Sequence, residues 1–124
     1  MIDAAHVLLY ADDAEAARAF FRDVLGRENV DAGDGWLIFA LPPAELGVHP
    51  ADGDDQQHRS GQAELWLMCT DVERTIAELR AKGVECPPPQ DQGFGLVTRV
   101  EVPGYGPVGL YQPSHASPLP QFPA

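Results

Sequence analysis

A pattern that occurs twice constrains this chain more than any other feature. Residues His6–Phe21, HVLLYADDAEAARAFF, lie without a gap over Glu64–Leu79, ELWLMCTDVERTIAEL, when the sequence is shifted by 58 positions. Each copy opens on a polar side chain able to bind a metal ion and continues as an alternating strand. An aspartate follows seven residues after the opening, Asp13 or Asp71, and then an amphipathic helix closed by Gly26 or Gly83. Few residues are identical, so the pattern itself carries the repeat. Units of this kind cannot bury their apolar faces alone, and two of them read as the halves of one fold.

A chain of 124 residues is long enough for one domain with a working core. Its parts read as a first module over about 1–50, a linker over 51–62, a second module over about 63–113 and an irregular proline-rich tail over 114–124. The formal net charge of −11 argues against nucleic acid as a partner, because phosphate binding needs clustered Lys or Arg. No long apolar run and no charged-then-apolar leader opens the chain, which predicts no membrane segment and a cytosolic protein. Cys69 and Cys86 then read as free thiols.

In chain order, Ala4–Tyr10 reads as a strand with Ala5, Val7 and Leu9 on one face and His6, Leu8 and Tyr10 on the other. Asp12 or Asp13 caps a helix whose Ala17, Phe20, Phe21, Val24 and Leu25 form one apolar stripe. Asn29–Asp31 reads as a short strand, Gly33-Asp34-Gly35 as a turn and Trp36–Leu41 as a buried strand. After Pro42-Pro43, the alternation of Ala44–His49 predicts a fourth strand. Its Ala44, Leu46 and Val48 would face the helix, leaving Glu45, Gly47 and His49 with His6.

In the second half, Glu64, Trp66 and Met68 share one strand face and Leu65, Leu67 and Cys69 the other. A helix capped by Asp71 carries the stripe Val72, Ile76 and Leu79. Strands are predicted over Leu96–Val102 and Val108–Gln112, joined by the turn Pro103–Pro107. The expected architecture is α+β, two βαβββ modules forming a curved mixed sheet with a cup and with helices on the convex face.

These residues resemble the vicinal oxygen chelate superfamily, which includes glyoxalases, extradiol dioxygenases and bleomycin-resistance proteins. The resemblance rests on His6 seven residues before Asp13, on the helical AFFRDVLG and on the closing GLYQP of residues 109–113. It implies that the first and fourth strands of each module line a cup, with metal ligands on their concave face. By that resemblance His6 and Glu64 take the first-strand ligand positions. The fourth-strand position of the first module falls on Glu45, or on Leu46 if counted back from Pro50; alternation favours Glu45. The last position falls on Gly109, where the family usually has a glutamate.

One imidazole and two carboxylates suit a divalent ion such as Zn, Ni, Mn or Fe, with open positions for substrate oxygens. Leu8, Tyr10, Trp66, Met68 and Tyr111 are the residues expected to line the cup and touch a small-molecule ligand or substrate. The departure at Gly109 weakens both glyoxalase-type proton transfer and ring cleavage, and no catalytic residue is assigned. The leading expectation is a metal-dependent lyase, isomerase or dioxygenase acting on a small oxygen-bearing molecule. The competing ones are a metal-free protein that sequesters a drug, and a degenerate module that only pairs with a partner chain. The resemblance also implies a homodimer.

Overall fold

The computed structural model describes residues 6, 7, 9, 11–51, 54, 58 and 60–122. The fold is α+β, with two helices, a two-stranded sheet and a four-stranded sheet. The backbone divides into two compact units, one of residues 1–40 with 101–107 and the other of residues 41–100 with 108–124. Among the described residues no helix is long and apolar enough to cross a membrane.

In the first unit, helix α1 (Ala14–Asp23) begins where Asp13 accepts a hydrogen bond from the Ala16 amide at 3.0 Å. Phe20 and Phe21 are its buried residues. Phe21 meets Phe39 with ring centroids 5.7 Å apart, which seats the helix against the hairpin of β1 (Asn29–Asp31) and β2 (Leu37–Phe39). Asp31 shapes the hairpin loop by accepting from the amides of Gly33 and Gly35. The tight loop over Gly33, Asp34 and Gly35 is the turn expected there, with positive φ at all three residues.

The predicted strand Trp36–Leu41 is shorter and more open than its apolar composition implies. Only Leu37–Phe39 pairs, and Trp36 is 64% exposed with Arg18 stacked 4.5 Å from its ring. A two-stranded ribbon buries one face, so Phe39 packs inward while Ile38 and its partner Val30 stay exposed. Of the predicted strand Ala4–Tyr10, residues His6, Val7 and Leu9 are described and lie outside any strand; the others are not among the described residues. The turn between the two longest strands also belongs to this unit. The Asp13 amide donates to the Gly104 carbonyl at 2.9 Å, and Gly104 has φ +76°.

In the second unit, helix α2 (Val72–Ala81) is capped by Asp71, which accepts from the Arg74 amide. Val72, Ile76 and Leu79 are buried, the stripe its periodicity predicts. The helix ends where the Val84 amide donates to the Leu79 carbonyl and Gly83 takes φ +82°. The larger sheet runs in the order β3 (Trp66–Met68), β6 (Gly106–Pro113), β5 (Gly95–Val102), β4 (Gln90–Asp91). The parallel pairing of β3 with β6 requires a crossover, and α2 lies within it. The Gln112 side chain accepts from the first helical amide, Val72 N–H, at 3.0 Å and ties β6 to the start of α2. Val108 and Leu110 are buried with Val100 and Cys86, while alternation sends Gly109 and Tyr111 to the opposite face of β6.

The predicted strand Ala44–His49 does not form, and Leu46 and Val48 are 90% and 86% exposed rather than packed on a helix. Pro42, Pro43 and Pro50 remove backbone donors on both sides of the segment, and Gly47 weakens its middle. Alternation without a ladder partner leaves extended chain. Residues 41–50 belong by their contacts to the second unit.

Asp13→Ala and Asp71→Ala will each lower stability by about 1 kcal/mol, the usual worth of an N-cap, measured by urea unfolding. Gly104→Ala will cost more than about 1 kcal/mol, because it adds positive-φ strain to a Cβ placed 2.6 Å from that of Asp13.

Candidate functional site

The second unit gathers aromatic rings and carboxylates on the face of β6 that carries Gly109 and Tyr111. Parallel register sets Trp66 beside Gly109 and Met68 beside Tyr111. A Cβ on Gly109 would overlap Cε3 of the Trp66 indole and lie 2.7 Å from its Cδ2, so the indole fills the space a side chain at 109 would need. Trp66, Phe94 and Tyr111 pack edge to face in a triangle with centroid separations of 6.1, 5.7 and 5.6 Å. Such contacts add to area burial because each ring edge meets the electron-rich face of a neighbour. Gly95 permits this closeness, since a Cβ there would sit 2.9 Å from the Tyr111 ring. Trp66 and Phe94 remain 41% and 44% exposed, and Tyr111 is buried.

Each polar handle of this wall has a carboxylate. The Trp66 indole N–H donates to Glu64 Oε2 at 3.1 Å, and the other oxygen of Glu64 lies 2.6 Å from His58 Nε2. The Tyr111 hydroxyl donates to Glu45 Oε1 at 3.3 Å, while Ser117 donates to Glu45 Oε2 at 2.7 Å. His115 Nε2 stands 3.0 Å from the Tyr111 oxygen, and its Nδ1 donates to the Ala116 carbonyl at 2.8 Å. Burial pushes the Tyr111 phenol above its ordinary range, and the charge and hydrogen bond of Glu45 push it further. Cys69 lies beside this cluster with its thiol directed to the Tyr111 carbonyl; burial holds it protonated and unsuited to nucleophilic attack.

The sequence-predicted positions divide accordingly. Trp66 and Tyr111 come together, and Met68 lies on their face. Glu45 and Glu64 both reach the wall, each already accepting hydrogen bonds through both oxygens or paired with a histidine. His6 lies in the first unit and is exposed; Leu8 and Tyr10 fall outside the described residues. Among the described residues no three His, Cys, Asp or Glu side chains are grouped to hold a metal ion. Indole, rather than an oxygen or nitrogen donor, occupies the space at position 109.

Phe94, His58, His115 and Ser117 are the members that sequence reasoning missed. A signal for Phe94 existed, because it is the lone aromatic in the loop QDQGFGL and is flanked by two glycines. His58, His115 and Ser117 lie in low-information segments whose pairing no periodicity encodes.

Gly109→Glu, which installs the residue usual in the resembled family, will expel the indole. The expected result is a loss of roughly 1–3 kcal/mol by overpacking, with a red-shifted tryptophan emission; adding Trp66→Ala will recover most of the stability. In a titration followed at 295 nm, one tyrosine will ionise above the ordinary value of about 10. Glu45→Gln will bring it down, since removing the carboxylate charge eases ionisation. Because folding raises this pKa, its contribution to stability is full below the unfolded value and is lost as pH rises through the folded one.

Comparisons with known proteins agree with this architecture. The Glyoxalase/Bleomycin resistance protein/Dioxygenase superfamily matches residues 4–103. Among solved structures, the antibiotic binding protein TnmS3 from Streptomyces sp. CB03234 aligns with 92% of this chain and 100% of its own, at TM-score 0.60 and 24% identity. A lactoylglutathione lyase from Agrobacterium tumefaciens aligns over 89% of this chain and 92% of its own, at TM-score 0.57 and 22% identity. A superfamily member from Sphaerobacter thermophilus DSM 20745 aligns over 90% and 98%, at TM-score 0.59 and 21% identity. At these identities the likeness is one of fold. No curated protein matches the chain. With four-fifths of its length inside the match, the chain belongs to the glyoxalase/bleomycin resistance protein/dioxygenase superfamily.

Proposed function

We propose that this chain binds a small organic molecule against the Trp66–Phe94–Tyr111 wall without a metal ion bridging the two. The observation that carries this reading is the indole of Trp66 lying over Gly109. The same face in a metal-dependent enzyme needs free oxygen or nitrogen donors converging on one point. Here Glu64 and Glu45 are engaged by Trp66, His58, Tyr111 and Ser117, and they serve to orient the rings.

What the arrangement offers a ligand is half-exposed aromatic surface beside hydrogen-bonding groups. Apolar walls with a few fixed polar groups are the usual construction of small-molecule sites. The carboxylates and the net charge of −11 favour ligands carrying N–H donors or positive charge over anions. Among the solved structures of similar fold, one is described as an antibiotic binding protein, a role of the same class. This reading takes precedence over the metal-dependent lyase, isomerase or dioxygenase because Glu45 and Glu64, two of its three expected ligands, are already engaged by neighbouring side chains.

The test is a binding screen of planar aromatic antibiotics and dyes, followed by quenching of tryptophan emission with and without EDTA. A ligand will bind equally in both conditions and be recovered chemically intact. Trp66→Ala will weaken it about threefold to tenfold, the scale of one lost aromatic contact. Affinity that vanishes with EDTA and returns with Zn²⁺, Ni²⁺, Mn²⁺ or Fe²⁺, or conversion of the ligand to product, would overturn the proposal.

A further inference from the structure

The chain after β6 is not a loose end. Residues 114–119 run as an irregular strap in which His115, Ser117 and Leu119 are half-buried while Ser114, Ala116 and Pro118 are exposed. At one end the Ser114 amide donates to the Phe94 carbonyl at 2.8 Å; further along, Ser117 donates to Glu45. Between these anchors the imidazole of His115 lies against Tyr111, with ring centroids 5.8 Å apart and planes inclined at 40°. Its Nε2 is 3.0 Å from the Tyr111 hydroxyl and 3.7 Å from Glu45 Oε1.

His115 thus makes both kinds of contact expected of a ligand at this wall: a planar ring set against an aromatic ring, and a ring nitrogen at a hydroxyl backed by a carboxylate. Its attachment is light. No helix or ladder holds the strap, and Pro113, Pro118 and Pro120 limit the backbone donors it can use. Its side-chain anchors converge on Tyr111 and Glu45, and Glu45 sits in the equally irregular segment 41–50.

Resting on the small-molecule-binding reading above, we propose that the strap is a built-in occupant of the site. His115 fills a subsite made by Tyr111 and Glu45, and the external ligand that takes this place is a planar nitrogen heterocycle that sets a ring nitrogen at the Tyr111 hydroxyl and directs an N–H donor at the Glu45 carboxylate. Binding then requires the strap to lift. The apparent affinity of the intact chain is lowered by the fraction of molecules in which the strap is open. Ligands lacking a ring nitrogen or N–H reach only the exposed edges of Trp66 and Phe94, where the strap has no influence.

The experiment uses full-length protein and proflavine, a planar heterocycle with ring nitrogen and amino groups, against anthracene-2-sulfonate, a planar ring system with neither. In the wild type, a nuclear Overhauser contact between the His115 and Tyr111 rings reports the closed strap, and saturating proflavine will abolish it. The double variant His115→Ala/Ser117→Ala, checked for an unchanged melting curve, will bind proflavine roughly threefold to tenfold more tightly, with no gain for the sulfonate. Proflavine binding that needs Trp66 but is equal or weaker in the double variant would overturn the strap alone. So would an Overhauser contact that survives saturation. Binding indifferent to Trp66→Ala, or no binding to any form, would overturn the aromatic-wall reading and the strap with it.

Discussion

Position 109 has no side chain, and the Trp66 indole lies in the space one would occupy. Because β3 and β6 are parallel neighbours with Trp66 opposite Gly109, the missing side chain leaves the ring room to lie across β6. Everything on that face follows. The indole turned onto Gly109 brings its edge to Tyr111 and Phe94, and its N–H comes to Glu64. The buried Tyr111 phenol, if it lost its partners, would carry an unmet hydrogen-bonding group, so Glu45 stabilises the wall by satisfying it, while Glu64 orients the half-exposed indole. Two acidic residues at positions suggestive of metal ligation therefore have work inside the protein.

On the proposed reading, that assignment changes what the superfamily fold does in this chain. A metal centre orients a ligand through directional bonds to oxygen; an aromatic wall orients it by shape and by the placement of a few donors and acceptors. Tyr111 is central to the second arrangement. Its backbone carbonyl receives the Cys69 amide, its ring touches Trp66, Phe94 and His115, and its hydroxyl meets Glu45. A single side chain so joins β3, the loop before β5, the segment 41–50 and the tail. Movement in any of them is felt at the same ring.

The elements that were legible in the sequence are those whose causes are local. Asp13 and Asp71 cap their helices through residues three positions on, and Val72, Ile76 and Leu79 recur at the helical period. The face shared by Trp66, Met68 and Tyr111 followed from the two-residue period of strands once β3 and β6 were recognised. The same rule misled at Ala44–His49. Alternation there is genuine, but a strand exists only where a neighbour accepts its hydrogen bonds, and the flanking prolines remove donors such a ladder needs. At Trp36–Leu41 the apolar run implies two-sided burial, whereas a lone ribbon has only one covered face.

By itself, then, the sequence determined the helices, their caps, the hairpin turn at Gly33–Gly35 and the superfamily to which the chain belongs, because each rests on neighbours along the chain or on a spacing repeated within it. Only the tertiary structure decided what the acidic residues do. Glu45 is bonded to Tyr111 and Ser117 across 66 and 72 positions of sequence, and Ser114 to Phe94 across a strand hairpin. Pairings at such separations leave no periodic trace, since the intervening chain can close through many routes at nearly the same entropic cost. The presence of a histidine on Tyr111, and of an indole where a ligand glutamate is usual, could be read only after the backbone had brought them together.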